Sequence, residues 1–287
     1  MDVADVLTLS TEGIGHLDRP VMIVGLEGWF DAGGAATQAA ETFVASDSSV
    51  VVGEIDPDPF YDFTQQRPMV RIDDDVRQLD WPANKFIVQR TADEQRDLVA
   101  LIGVEPHLHW TTYVDTILAV SESFGCEAVV TVGAAAEAQP HTRTPPVTGS
   151  TASVDLARAL GLVAPSYEGV TGIAGVLQAA VEARSMPAIS LRVGIPHYLL
   201  NAEHPQATAA LARHLSHVLG VPAEFDLTDQ IASWRDVHDE IVDGDEQIKM
   251  YVRMLEAEFD RRTEAAIPSA EDLARDFEDF LRDQRDD

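Results

Sequence analysis

Two carboxylates stand in a glycine-rich stretch, GLEGWFDAGG at residues 25–34, which contains Glu27, Trp29 and Asp31. Four glycines within ten residues favour a tight turn or a close backbone approach. Backbone N–H groups at a helix start can hold an anion, and the two carboxylates could transfer protons or accept hydrogen bonds from sugar hydroxyls. They also disfavour a highly charged phosphate ligand. The structural alternative is a strand-to-helix turn in which Asp31 caps the helix.

A second group of polar residues lies in QPHTRTPP at residues 139–146, between a predicted strand and a predicted helix. His141 and Arg143 form the natural anion-binding or general-acid pair of this segment. Prolines at positions 140, 145 and 146 stiffen it, which suits a binding site and an oligomer contact equally well. A purely structural role in a loop or interface therefore stays open.

Three further polar residues follow other predicted strands. Glu168 opens EGVTG, interpreted as the end of one strand and the start of a helix, while His197 and Tyr198 follow the last strand. Loops at the carboxyl ends of parallel strands meet at one edge of an open sheet, where ligands bind. The predicted ligand-binding set is Glu27, Trp29, Asp31, His141, Arg143, Glu168, His197 and Tyr198.

No residue is assigned a catalytic role from the sequence. The chain lacks a P-loop, a G-x-S-x-G elbow, an H-E-x-x-H motif, a C-x-x-C motif and a complete G-x-G-x-x-G fingerprint. Cys126 is the single cysteine, which excludes a disulfide framework and a multi-cysteine metal site. His107 and His109 have no acidic neighbours at ligand spacing. We therefore predict neither a cofactor nor a metal.

The elements that must position these residues alternate between short apolar runs and helical patterns. Strands are predicted at 21–26, 50–55, 85–91, 127–133 and 188–193, and helices at 33–46, 110–124, 153–160, 172–184 and 205–219. Such alternation requires crossover connections and a sheet covered on both faces. The sequence predicts an α/β protein with three α/β/α layers and a mostly parallel central sheet. Between the second and third strands, an aromatic segment at 60–68 is interpreted as an intersubunit plug or a lid.

Charge limits the classes of partner. The 287 residues contain 20 Lys plus Arg and 49 Asp plus Glu, a formal net charge of −29. Phosphate contacts need clustered cations, so nucleic acid and anionic membranes are disfavoured as partners. The longest apolar runs are strand-sized, and the N-terminus has no basic region followed by a long apolar core. A cytoplasmic location is expected.

The composition changes near Asp226, which divides the chain into a core domain at 1–225 and an acidic helical extension at 226–287. The extension contains 20 acids and 8 bases, a net charge of −12. One apolar helix face is predicted from Ile248, Val252, Leu255 and Phe259, and a second helix, capped by Ser269, from Leu273, Phe277, Phe280 and Leu281. These faces must pack on the main domain or on a neighbouring subunit.

The order and spacing of several motifs resemble the proteasome assembly chaperone 2 family, and more narrowly its actinobacterial branch. The matching positions are GLEGWFDAGGAA at 25–36, Gly53-Glu54, the 60–63 segment with Arg67-Pro68, Gly133 with 140–143, Tyr167 to Gly169 with 171–173, and Val193 with 196–198. Each motif alone is weak, whereas together they cover nearly the whole chain.

The resemblance implies an α/β/α fold similar to nucleoside phosphorylases, a mixed central sheet, and a homo-oligomer, specifically a trimer. It also implies chaperoning, because eukaryotic and archaeal relatives bind proteasome α-subunits while the ring assembles. Some relatives anchor through a C-terminal hydrophobic-Tyr-X tail. This sequence ends in DQRDD, so anchoring by that route is not expected.

Three functional hypotheses remain open on the sequence. The first is a non-enzymatic, oligomeric binding or assembly protein with proteasome α-subunits as partners. The second is a binder or a hydrolase/phosphorylase-type enzyme acting on a nucleoside-like or anionic ligand. There, Arg143 would hold phosphate or an oxyanion, an acid would contact sugar hydroxyls, and His141 would assist the departing base. The third is a vestigial crevice whose loops only build an interface.

Overall fold

The computed structural model describes residues 1–73, 75–91, 95–200, 202–223 and 225–266. The strands are β1 (Leu7–Leu9), β2 (Val21–Glu27), β3 (Val50–Ile55), β4 (Met69–Asp73), β5 (Val76–Asp80), β6 (Asn84–Gln89), β7 (Leu98–Val104), β8 (Ala128–Glu137), β9 (Val147–Thr151) and β10 (Ala188–Pro196). The helices are α1 (Val3–Val6), α2 (Ala35–Glu41), α3 (Trp110–Phe124), α4 (Val154–Leu160), α5 (Ile173–Ala183), α6 (Pro205–Leu219), α7 (Thr228–Asp243) and α8 (Glu246–Ala266).

Eight strands form one sheet in the order β1-β3-β6-β7-β2-β8-β10-β9. The four strands in its middle, β7, β2, β8 and β10, run parallel to one another, while the strands towards both edges pair antiparallel. The parallel strands are the long apolar runs, as expected for strands buried on both faces. Their carboxyl ends share one edge of the sheet, to which the loops after β2, β8 and β10 belong.

Helices cover both faces of this sheet. Alternate residues of β2 point to opposite sides: Met22 and Val24 belong to the apolar core shared with α3 and α5. Val21 and Ile23 belong to the core shared with α2 and α6. The three-layer α/β/α prediction is therefore confirmed, and so is the helical extension, whose described part is α7 and α8.

Several elements differ from the sequence prediction. The predicted helix at 33–46 begins only at Ala35, because Gly33 and Gly34 both have φ of +65° and form a short 3-10 turn. The prediction that a strand precedes Glu168 is wrong: the described backbone between α4 and α5 contains only an isolated bridge at Val163. Strands β1, β7 and β9 and the β4–β5 hairpin were not predicted.

Helices α7 and α8, separated by two residues, form a helical hairpin that packs on α6 and on the loops after β8 and β10. The predicted apolar stripe of α8 is buried in its middle, where Val252 and Leu255 are each 4% exposed, whereas Ile248 is 39% exposed. The predicted second helix of the extension lies outside the described residues. None of the described helices has the length and apolarity needed to cross a bilayer.

Candidate functional site

Asp31 lies in the turn between β2 and α2, and its side chain is committed to the start of the helix. Its Oδ1 accepts the Ala36 N–H at 2.7 Å and the Thr37 N–H at 3.3 Å, and the Thr37 hydroxyl donates to Oδ2 at 2.5 Å. Burial raises the pKa of Asp31, and these three hydrogen bonds partly offset that effect. The helix N-terminus that could hold an anion is therefore filled by the chain's own carboxylate.

Glu105, just after β7, likewise places a carboxylate at the start of a helix, in this case α5. One of its oxygens accepts the Trp29 N–H at 2.9 Å and the other accepts the Ile173 N–H, at the start of α5, at 3.3 Å. Gly28 allows this approach, since a Cβ there would lie 2.7 Å from the Glu105 Cβ. A carboxylate at this position is favoured by the helix dipole. Trp29, beside it, keeps 72% of its surface exposed.

His141 is fully buried between the loop after β8 and the helical extension. The Tyr198 hydroxyl accepts the His141 backbone N–H at 2.9 Å and lies 2.8 Å from Nδ1, while Nε2 lies 3.1 Å from Asp239 on α7. Because the Asp239 carboxylate can only accept, Nε2 of the neutral ring donates to it, and Nδ1 accepts the proton of the Tyr198 hydroxyl. Burial lowers the pKa of His141 and raises that of Tyr198 to about 12.

Arg143 is bound by two carboxylates of α8. Its Nε and Nη2 donate to Asp260 at 2.9 and 2.8 Å, and Nη1 donates to Glu256 at 3.2 Å. The Asp260 hydrogen bonds raise the pKa of Arg143, and the same contact lowers the pKa of Asp260. Such paired guanidinium–carboxylate bonds are the geometry with which arginine recognises anions. Tyr251 of α8 completes the contact by reaching His197 Nε2 at 3.0 Å.

The eight predicted site residues therefore occupy three places. His141, Arg143, His197 and Tyr198 lie together beneath the α7–α8 hairpin. Glu27 ends β2, Trp29 and Asp31 lie in the turn that follows, and Glu168 is exposed in the segment before α5. Among the described residues, no hydrogen bond or ion pair joins Glu27 or Asp31 to His141 or Arg143.

The arrangement contains paired acidic and basic side chains but does not bring metal ligands together. Within the described residues no group of three or more His, Cys, Asp or Glu is placed to hold a metal ion. Three positions that could receive an anion, the starts of α2 and α5 and the Arg143 guanidinium, already hold a carboxylate of the chain itself. At these three positions the groups that could bind an anionic ligand are bound to one another instead.

The comparisons identify the family. The model of the PAC2 family matches residues 25–242, about three quarters of the chain. The chain belongs to the PAC2 family. The predicted family is thereby confirmed. The matched region begins at the glycine-rich stretch and runs through α7, whose Asp239 contacts His141.

Solved structures from actinobacteria are similar to this PAC2 family member. A PAC2 family protein from Streptomyces avermitilis is 37% identical, with a TM-score of 0.75, and the match covers 81% of this chain and 99% of that one. A proteasome-assembly chaperone homologue from Mycobacterium tuberculosis is 38% identical, with a TM-score of 0.71 and the same coverage.

A more distant structure has the same fold. The archaeal proteasome activator PbaB from Pyrococcus furiosus is 20% identical, with a TM-score of 0.63, covering 83% of this chain and 98% of that one. No curated protein matches the chain.

Three aromatic side chains that pack the start of α6 against α7 were not predicted from the sequence of this PAC2 chain: His204, Trp234 and His238. The ring of His204 lies 4.2 Å from that of Trp234, which lies 4.3 Å from that of His238. His204 Nδ1 also accepts the Ala207 N–H, capping α6, and burial lowers the pKa of His204 to about 4. One signal was available: His204 directly precedes Pro205, the first residue of a helix, where capping residues occur.

Proposed function

We propose that this chain is a non-enzymatic, homo-oligomeric binding protein that assists proteasome assembly, with proteasome α-subunits as its partners. One observation carries the proposal: at the carboxyl edge of the sheet, the chain's own carboxylates bind two helix starts and the Arg143 guanidinium, the groups that an anionic substrate would need. Asp31 caps α2, Glu105 contacts the N-terminus of α5, and Asp260 pairs with Arg143. A catalytic site would leave such groups available to a ligand.

Similarity supports the partner. The Mycobacterium structure is described as a proteasome-assembly chaperone homologue, and its 38% identity extends over 99% of that chain. The archaeal structure is described as a proteasome activator. The net charge of −29 supports a protein partner over nucleic acid. Since proteasomes work inside cells, we assign the chain to the cytoplasm.

An apolar surface at the carboxyl edge of the sheet suits such a partner. Trp29, Tyr167 and Val170 are 72%, 74% and 84% exposed. A Cβ on Gly172 would lie 3.4 Å from the Trp29 ring, and the Tyr167 hydroxyl donates to the Val170 carbonyl, so Trp29 lies against the end of the segment that carries Tyr167 and Val170. Large exposed aromatic and aliphatic groups of this kind mark protein contact sites.

The test is direct binding. Purified chain and recombinant α-subunits from the same organism are mixed and examined by native mass spectrometry, and the rate of ring assembly is followed with and without the chain. We expect a complex of fixed stoichiometry and faster assembly, both weakened by Val170→Glu. Val163→Glu is the matched control, because Val163 is 63% exposed outside that surface. Absence of binding and of any effect on assembly would refute the proposal.

A small-molecule role at the predicted residues is the second candidate. Its supporting observation is that Asp260 binds Arg143 as an anionic ligand would. The ligand would have to displace α8. A small-molecule mass that survives purification, and that Arg143→Gln removes, would favour this candidate.

A further inference from the structure

The loop after β8 binds α8 in the way that it would bind a separate acidic helix. Glu256 and Asp260 lie one turn apart, so both carboxylates are on the same side of α8. Asp260 accepts hydrogen bonds from Nε and Nη2 of Arg143 at 2.9 and 2.8 Å. Glu256 accepts the Thr142 hydroxyl at 2.6 Å and Nη1 of Arg143 at 3.2 Å. Thr142 and Arg143, here called the acid-binding pair, therefore fit a helix with two carboxylates at this spacing.

The acid-binding pair and the helix that covers it differ in their relation to the family. The match to the PAC2 family includes residues 25–242, so Thr142 and Arg143 lie inside it. Helix α8 begins at Glu246, beyond the matched region. An element outside the shared region that covers charged groups inside it is placed to control access to them.

The ion pairs beneath α8 are partly open to solvent. The side chains of Arg143, Glu256 and Asp260 are 35%, 26% and 48% exposed. Ion pairs with this exposure contribute little net stability, because water and salt screen them. The two parallel bonds between Arg143 and Asp260 nevertheless select a carboxylate partner by their geometry. The contact can therefore recognise an acidic helix without holding it permanently.

Few polar contacts hold α8 to the part of the chain before α7. Within the described residues, these hydrogen bonds and ion pairs are made by Tyr251, Glu256 and Asp260. The apolar residues Val252 and Leu255, which precede Glu256 on α8, are each 4% exposed. A helix that replaces α8 must supply apolar residues at the same spacing as well as the two carboxylates.

We propose that α8 is an autoinhibitory element that occupies the acid-binding pair of its own chain until an acidic amphipathic helix of a partner protein displaces it. Two residues join α8 to α7, so α8 is present at an effective concentration of about millimolar. It yields only to a partner that another surface already holds nearby. The proposal goes beyond the proposed function, because it adds a second binding surface with its own control and does not depend on which protein the partner is.

The test measures binding of a fluorescent peptide with the sequence of residues 246–266 to the full chain by fluorescence anisotropy. The opened variant is Glu256→Lys with Asp260→Lys, which places two cations opposite Arg143. It should bind the peptide about tenfold or more tightly than the wild-type chain, whose own α8 competes. The control is Glu246→Lys with Glu264→Lys, the same charge change at two exposed side chains that make no hydrogen bond or ion pair within the described residues. That variant should bind as wild type does.

Two further comparisons assign the binding to the acid-binding pair. Adding Arg143→Gln to the opened variant should return its affinity to the wild-type level. A peptide that carries Glu256→Gln and Asp260→Asn should bind the opened variant about tenfold more weakly. Amide exchange in the opened variant should rise in α8 and stay unchanged in the sheet, which shows that the core is folded. If the opened variant does not fold, Asp260→Asn replaces it in the same assay and should give a smaller gain in affinity.

Three outcomes would overturn the proposal. The first is equal peptide affinity in the wild-type chain and the opened variant, and the second is binding that Arg143→Gln leaves unchanged. The third is a wild-type oligomer, seen by native mass spectrometry, that the opened variant has lost, because α8 of a second copy would then be the occupant. Binding of α-subunits is measured separately, so its failure would leave this proposal standing.

Discussion

Replacing His204 by asparagine should remove a loss of stability that acid causes in the wild-type chain. His204 is 1% exposed, stacks against Trp234, and accepts the Ala207 N–H through Nδ1. Protonation would put a proton on Nδ1, which would then face that N–H instead of accepting it. Asparagine retains an acceptor at a helix cap but does not titrate.

The magnitude follows from the pKa of His204, which burial lowers from 6.5 to about 4. Between those values the unfolded chain binds a proton that the folded chain does not, so the free energy of unfolding falls as pH falls. The contribution is fully present above about pH 6.5 and is lost by about pH 4. At about 1.4 kcal/mol for each pKa unit, the loss is about 3 kcal/mol.

The assay is urea unfolding at about pH 7.5 and about pH 4.5 for wild type, His204→Asn and His217→Asn. His217 lies on the exposed side of the same helix, so its variant should follow wild type. The difference in unfolding free energy between wild type and His204→Asn should change by most of the 3 kcal/mol, roughly, between the two pH values. Equal acid sensitivity in these two proteins would refute the reasoning.

Three further substitutions test separate contacts. Asp31→Ala leaves two helix-start N–H groups without their acceptor and should lower the free energy of unfolding in urea by about 1–3 kcal/mol. Asp31→Asn keeps an acceptor oxygen and should lower it less. Equal losses in the two variants would contradict the assignment of Asp31 as the cap of α2. Gly133→Ala places a Cβ 2.0 Å from the Phe30 ring and should cost about 1–3 kcal/mol, part of which Phe30→Ala restores. Arg143→Lys cannot reproduce the two parallel bonds to Asp260, so amide exchange in α8 should rise several-fold while the sheet stays unchanged; unchanged exchange in α8 would contradict this.

Prediction from the sequence was most accurate where a single hydrophobic periodicity determined whether a segment is a helix or a strand. Helices α3 and α6 and strand β3 have the predicted bounds, because their apolar residues repeat at helical spacing or form a short continuous run. Strand β7 is equally apolar and lies in the middle of the sheet, yet it was missed. A short buried strand and a segment of buried helix have the same composition, so an apolar run alone does not separate them.

The site was predictable only in part, for a different reason. Position at a strand end indicated that His141, Arg143, His197 and Tyr198 would meet, and they do. Their partners on α7 and α8 come from a segment whose sequence shows only charge and helical spacing. Which acid pairs with which base is decided by tertiary packing, and no local pattern encodes it.

The α7–α8 hairpin is synthesised after the sheet, so its contacts with the rest of the fold must form late. Its contacts with the loop after β8 join residues 98 to 117 positions apart, the widest being Arg143 with Asp260. At a synthesis rate of about 5–20 residues per second, Arg143 is made roughly 6 to 23 s before Asp260 exists. The ten strands of the described residues all precede the hairpin along the chain, so the sheet can be complete while His141 still faces water. A nascent chain therefore passes through a stage in which this loop is open to any acidic helix nearby.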